Sequence, residues 1–182
     1  MANANLSNAD LKGANLDGAD LTGVNLSAAD LVGVRSGSVG GNPTLPADWQ
    51  LLEGYLIGPG ANLTNAMLSG VDLDGVNLSD VTLTGVSAEF LTGNPTLPAQ
   101  WEIVDGYLVG PSANLQYANF FATNLAGFDL AGVNFANANL AGANLNGANL
   151  EYTDLSGTNV TGATTNHSTI CLGGAKGPCT SW

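Results

Sequence analysis

Apolar residues return along this chain at every fifth position. Leu6, Leu11, Leu16, Leu21, Leu26 and Leu31 form a first run, and Leu63, Leu68, Leu73, Leu78 and Leu83 a second. Leu115, Phe120, Leu125, Leu130, Phe135, Leu140, Leu145, Leu150, Leu155 and Val160 form a third. Two residues before most of them stands a small or β-branched residue, among them Ala9, Ala14, Val24, Ala66, Val71 and Ala143. The spacing matches neither the helical period of about 3.6 nor the strand period of about 2. A fixed short period marks a coiled array.

One pentad, Ala14-Asn15-Leu16-Asp17-Gly18, shows what the period demands. Its two apolar members are two apart, so an extended backbone points both to one side. The next pair, Ala19 and Leu21, starts three residues after Leu16, and a straight strand would send it to the opposite face. The chain must therefore bend once per pentad. Four bends close a square coil of about twenty residues, with coils stacked about 4.8 Å apart. Leucine then stacks on leucine along the axis, and burial contributes roughly 1.5–3 kcal/mol for each. Glycines such as Gly13, Gly18, Gly75 and Gly127 fall where the backbone bends. The predicted class is all-β.

The stretches A-D-L-K-G, A-N-L-D-G, A-D-L-T-G, A-N-L-A-G and A-N-L-N-G resemble the A-(D/N)-L-x-x unit of the pentapeptide-repeat family. The resemblance covers twenty-one pentads. It implies a right-handed quadrilateral β-helix, a solenoid, and leaves function open because the family's functions are diverse.

The five-residue phase breaks after Leu31 and after Leu83, and each leucine-to-leucine gap is 32 residues. The interruptions are copies of one another. Residues 41–63 and 93–115 share sixteen of 23 positions at an offset of 52. Each carries a hairpin signal, Trp49-Gln50-Leu51-Leu52 followed by Glu53-Gly54 and Tyr55-Leu56-Ile57, with Asp105-Gly106 at the second turn. Pro43, Pro46, Pro95 and Pro98 keep the approach extended. Trp and Gly-Tyr-Leu inserts of this kind are similar to those of some bacterial family members. Trp49, Tyr55, Trp101 and Tyr107 have two readings: packing of the hairpin on the solenoid wall, or an aromatic patch that recognises a partner.

The domain reading is a solenoid over 1–163 with inserts at about 36–60 and 88–112, then a cap over 164–182. Cys171 and Cys179 flank a Gly-rich segment that can bring the sulfurs together. The expectation is a disulfide-stapled cap, with Ile170 and Trp182 to cover the last coil, against an alternative of two free thiols. Such a tail looks like those of secreted family members, which places the protein outside the cell or on a bacterial cell surface. At the other end, Met1-Ala2-Asn3 runs into a repeat with no leader pattern. An uncovered first coil exposes Leu6 and backbone edges, with three readings: a trimmed longer solenoid, a closed dimer, or a head-to-tail fibre.

The formal charge is −12, with Lys12, Arg35 and Lys176 the only basic residues, which argues against binding a phosphate backbone. No apolar run reaches membrane-spanning length. His167 is the only histidine, and its neighbour Ser168 does not make a triad. No metal set, cofactor motif or catalytic constellation is read, and zinc at the cysteines lacks a fourth ligand. Asp10 and Asp30, one coil apart, are expected to stack as solvated carboxylates. Thr22, Thr84 and Thr92 form no regular ladder of the kind an ice-binding face needs.

Two functions follow. The first is a non-enzymatic structural or self-assembling protein that associates through its open coil end and faces, with Leu6, Trp49, Tyr55, Trp101, Tyr107 and Trp182 as candidate interaction residues and another protein chain as partner. The second comes from the resemblance: some family members are acidic mimics of B-form DNA that occupy the DNA site of type II topoisomerases.

Overall fold

The computed structural model describes residues 3–180 and 182. The leaderless start read at Met1 and Ala2 lies outside the described residues. The chain divides into two compact units. The first comprises Met1–Ala66, Leu73–Leu83 and Gly93–Pro98; the second comprises Met67–Asp72, Thr84–Thr92 and Ala99–Trp182.

In the first unit, Asn5 pairs in parallel with Asn25, Asp10 with Asp30, Asn15 with Arg35 and Asp20 with Gly40. Each step is twenty residues, so one coil holds four pentads. The chemistry of a step is simple. Leu6 N–H donates to Asn25 O (2.9 Å) and Asn25 N–H donates to Ala4 O (2.9 Å). Between steps the chain turns, as where Ala9 N–H donates to Leu6 O (3.0 Å). The third residue of that turn is Asn8 at φ 68°, and Gly13 takes the same place at φ 65° in the next. That conformation suits Gly or Asn, as in a type II turn. Leu16, Leu21, Val24, Leu26, Leu31, Val34, Val39 and Leu56 are buried in one cluster.

The coil runs further than the leucine pattern indicates. Val34, Ser36 and Val39 are buried, Asp20 pairs with Gly40, and Asn25 pairs with Thr44. The insert expected at 36–60 is therefore drawn in, because residues 36–45 still follow the wall. Val34, Ser36 and Val39 fill inward places without leucine, and Leu45, next to the paired Thr44, packs on the core again. Ser36 takes a leucine place because its Oγ accepts the N–H of Leu56 (2.8 Å). The excess chain forms a hairpin of β1 (Gln50–Leu52) and β2 (Tyr55–Ile57). Arg35 then pairs with Asn62, and Asn62 with Thr82.

The second unit repeats the scheme. Met67 pairs with Ser87, Asp72 with Thr92, and Asn114, Asn119, Asn124 and Asp129 each pair with the residue twenty further on. Ala88 and Leu91 are buried and Thr92 is paired, so the insert expected at 88–112 also starts later. Its hairpin is β3 (Glu102–Val104) and β4 (Tyr107–Val109), antiparallel. Phe120 and Phe135 occupy leucine places in a core with Leu125, Leu130, Leu140, Leu145 and Leu150, ring edge to ring face at 5.9 Å. Amide side chains climb the outside of this unit. Asn139 Nδ2 donates to Asn119 Oδ1 (3.0 Å), and Asn144 Nδ2 donates to Asn124 Oδ1 (2.9 Å).

Candidate functional site

The coil that holds Asn5 to Asp20 pairs with the coil that follows it. Among the described residues, Asn5, Asp10, Asn15 and Asp20 bridge forward to the next coil and to nothing before them. Leu6 and Leu11 are accordingly half-buried, while Leu21 and Leu26 are enclosed. The outward side chains do not cover this edge, because each folds into its own turn. Asn5, Asp10, Asn15 and Asp20 Oδ1 accept the N–H of Ser7, Lys12, Asp17 and Thr22 respectively, at 2.9–3.2 Å. The edge is thus a row of backbone groups beside a half-open apolar ring.

Charge on this region is pinned locally. Lys12 Nζ lies 2.8 Å from Asp30 Oδ2, and Arg35 Nε lies 3.1 Å from Asp17 Oδ2. The bond from Lys12, then the N–H of Val32, holds the Asp30 carboxyl below its ordinary pKa. The hydroxyl of Thr22, then its N–H, does the same for Asp20. The hydrogen bond to Asp30 raises Lys12 in turn. All these groups face solvent, so the pairs set geometry more than stability. The expected Asp10–Asp30 stack exists, and Lys12 is the cation beside it.

The hairpin aromatics sit against their own units. Trp49 packs on the first unit's core, with its indole over Gly58, where a side chain would collide with it. Trp101 does the same over Gly110 in the second unit. Tyr107 packs on Phe120 at 4.9 Å, and its hydroxyl accepts the N–H of Asn119 (3.2 Å). Tyr55 is half-buried beside Gly37. Trp49, Trp101 and Tyr107 thus pack on their own units, and all four rings keep an exposed portion.

The tail carries a Cys171–Cys179 disulfide with Cα atoms 5.7 Å apart. Thr164 still pairs with Asn144 and Ile170 with Asn149, so the wall continues into the residues read as cap. Ile170 takes the place of an outward asparagine. The contacts on the core come from Leu172 and Cys179. Thr169 fills the inward place, fully buried, and its hydroxyl accepts the N–H of Gly147 (3.0 Å) and of Asn166 (3.1 Å) and donates to Leu145 O (3.1 Å). Trp182 is 40% exposed. Sequence reasoning missed Leu172 and also the exposed Met67, Phe90, Tyr117, Phe121 and Tyr152. Their signal was available, since they are large apolar side chains at outward places of the five-residue frame.

Among the described residues, no group of three or more His, Cys, Asp or Glu could hold a metal ion, and no helix is long and apolar enough to cross a membrane. The family described as pentapeptide repeats matches residues 1–35, 59–86, 113–151 and 129–164. No curated protein matches the chain. Three solved structures are similar to it. HetL, a pentapeptide repeat protein involved in heterocyst differentiation regulation from the cyanobacterium Nostoc sp. strain PCC 7120, is 24% identical over 97% of this chain and 68% of that one, with a TM-score of 0.37. The pentapeptide repeat protein Rfr23 from the cyanobacterium Cyanothece 51142 is 22% identical over 88% and 89%, with a TM-score of 0.33. QnrB1, a plasmid-mediated fluoroquinolone resistance protein, is 14% identical over 91% of each chain, with a TM-score of 0.23.

Proposed function

Because this chain belongs to the pentapeptide-repeat family, we propose that it is a non-enzymatic structural protein whose β-helix, right-handed and quadrilateral, self-assembles through the open edge of its first coil. The observation that carries the reading is the one-sided pairing of Asn5, Asp10, Asn15 and Asp20 beside half-buried Leu6 and Leu11. A second copy supplies matching donors and acceptors and closes the apolar ring. The domain plan is a solenoid over 1–163 and a cap over 164–182, the cap beginning as a continuation of the wall through Thr164 and Ile170. With the tail folded on the last coil, the contact is between first coils and makes a closed pair; a fibre requires the tail to move aside. Trp182 is the candidate contact at that end, and Trp49, Tyr55, Trp101 and Tyr107 those on the faces. The disulfide supports an extracellular or cell-surface location.

Size-exclusion chromatography with light scattering tests the reading. The wild-type chain should run at twice the monomer mass at high concentration, and the Leu6→Asp variant at the monomer mass. A wild-type monomer at every concentration sinks the proposal, and electron micrographs separate pair from fibre.

A second reading, a DNA-mimic acting on a type II topoisomerase, rests on the charge of −12. A phosphate mimic needs rows of carboxylates. Here Asp10–Asp30 is a stacked carboxylate pair, whereas the longer columns Asn119–Asn139–Asn159 and Asn124–Asn144 carry neutral amides. A gyrase supercoiling assay should accordingly show no inhibition.

A further inference from the structure

Each hairpin leaves an open groove at its base, and four of the six residues lining each groove correspond at the 52-residue offset. The first, 520 Å³, lies within the first unit and is lined by Asp48, Trp49, Gln50, Pro59, Gly75 and Asn77. The second, 180 Å³, lies within the second unit and is lined by Gln100, Glu102, Ala126, Gly127, Phe128 and Asp129. Asp48 corresponds to Gln100, Gln50 to Glu102, Gly75 to Gly127 and Asn77 to Asp129. The two glycines leave the floor open, since a side-chain carbon at either would meet nothing within 4 Å.

The substitutions between the copies show what chemistry is kept. At each of three positions one groove carries a carboxylate and the other an amide. The shared property is a planar side-chain oxygen that accepts hydrogen bonds. Each groove also has at least one carboxylate and one aromatic ring, the ring coming from different positions: Trp49 with Asp48 in the first, and Phe128 with Glu102 and Asp129 in the second. Two of these acceptors are held in place by their own turns. Asn77 Oδ1 accepts the N–H of Ser79 (3.0 Å), and Asp129 Oδ1 accepts the N–H of Ala131 (3.2 Å) and Nδ2 of Asn149 (3.0 Å). Acceptors, negative charge and a ring together suit a ligand that is planar, cationic and purely a donor. A guanidinium group has those properties, donating through five N–H groups and stacking on aromatic faces. No cationic side chain lines either groove, and Lys12 and Arg35 are paired with Asp30 and Asp17.

We infer that the paired grooves are docking sites for arginine side chains of a basic polypeptide partner. The test is calorimetric titration with hexa-arginine at about 0.1 M salt, where exposed charges more than about 10 Å apart are largely screened. The wild-type chain should bind. The Gln50→Arg/Glu102→Arg variant places the chain's own guanidinium in both grooves and should weaken binding at least tenfold. Ser69→Arg/Asp80→Arg makes the same change in net charge outside the grooves and should weaken it less than twofold. The near-isosteric Asp48→Asn/Glu102→Gln variant keeps the acceptors, guards against misfolding as an explanation, and should weaken binding about fivefold. Failure of the wild-type chain to bind overturns the inference. So does an equal loss in the groove and control variants, which would mean diffuse attraction to an acidic surface.

Discussion

Phe135 and Leu6 hold equivalent places in the five-residue frame, yet their surroundings differ. Phe135 is fully buried with Phe120 against it, whereas Leu6 has a coil on one side only. A column of inward side chains gains from neighbours above and below, so the same substitution should cost differently along it. Phe135→Ala should lower stability by about 3–5 kcal/mol and leave a cavity. Leu6→Ala should cost less, about 1–2 kcal/mol, because Leu6 is only partly buried and packs on the core from one side. Urea unfolding midpoints of the two variants measure the contrast. The frame itself was legible because an apolar residue, leucine at all but Phe120, Phe135 and Val160, returns every fifth position through three runs. The tail was not legible at this scale. Asn149 meets Ile170 rather than the residue twenty positions on, and that single extra residue turns Thr169 inward and Ile170 outward. No local pattern in T-T-N-H-S-T-I-C-L announces the slip, so Ile170 was expected to provide the cover that Leu172 and Cys179 provide.

Hairpins and corner turns are set by backbone signs that the sequence partly declares. Glu53 and Gly54 have φ 48° and 82°, and Asp105 and Gly106 have φ 50° and 81°. Both central residues are left-handed, as a two-residue type I′ turn requires. Asp105 belongs there, and its Oδ2 also accepts the hydroxyl of Thr123 (2.6 Å). Glu53 has a longer side chain that tolerates the conformation less well, so Glu53→Asn should stabilise the first hairpin by about 0.5–1 kcal/mol, seen as a higher melting temperature. The Asp-Gly and Glu-Gly signals made the hairpins legible, with strands falling within the residues expected. Their roots were harder to read, since Val34, Ser36 and Val39 continue the wall without leucine. Corner turns make a second prediction. The hydroxyls and then the N–H groups of Thr22 and Ser156 hold the Asp20 and Asp154 carboxyls below the ordinary range. A carboxyl lowered in the folded state contributes stability that is complete above its unfolded pKa and lost as pH falls through the folded value. The melting temperature should hold from about pH 7 to 5 and decline below about pH 4. Asp20→Asn/Asp154→Asn should make that decline shallower, since an amide oxygen still accepts the turn N–H and does not titrate.

The whole molecule carries a charge of −12 with two of its three cations engaged in local pairs. That imbalance acts in opposite directions on the two associations argued above. Two copies meeting at their first coils bring like charges together, and the edge they share is backbone and leucine, whose attraction does not depend on salt. Screening therefore favours the pair: raising ionic strength from about 0.01 M to 0.15 M shortens the Debye length from about 30 Å to 8 Å and removes much of the repulsion. An arginine-rich ligand meets opposite charge, so the same change should weaken it. The sequence made the net charge and the duplicated inserts plain. It could not show that Gly75 and Gly127 leave open floors beside the inserts, because those glycines lie some twenty-five residues from Gln50 and Glu102 and meet them only once the coils stack. Sedimentation equilibrium of the chain alone, and calorimetry with hexa-arginine, at the two salt concentrations should give slopes of opposite sign. If self-association also weakens with salt, contacts between copies are electrostatic, and the paired backbone edge at Asn5, Asp10, Asn15 and Asp20 is not what joins them.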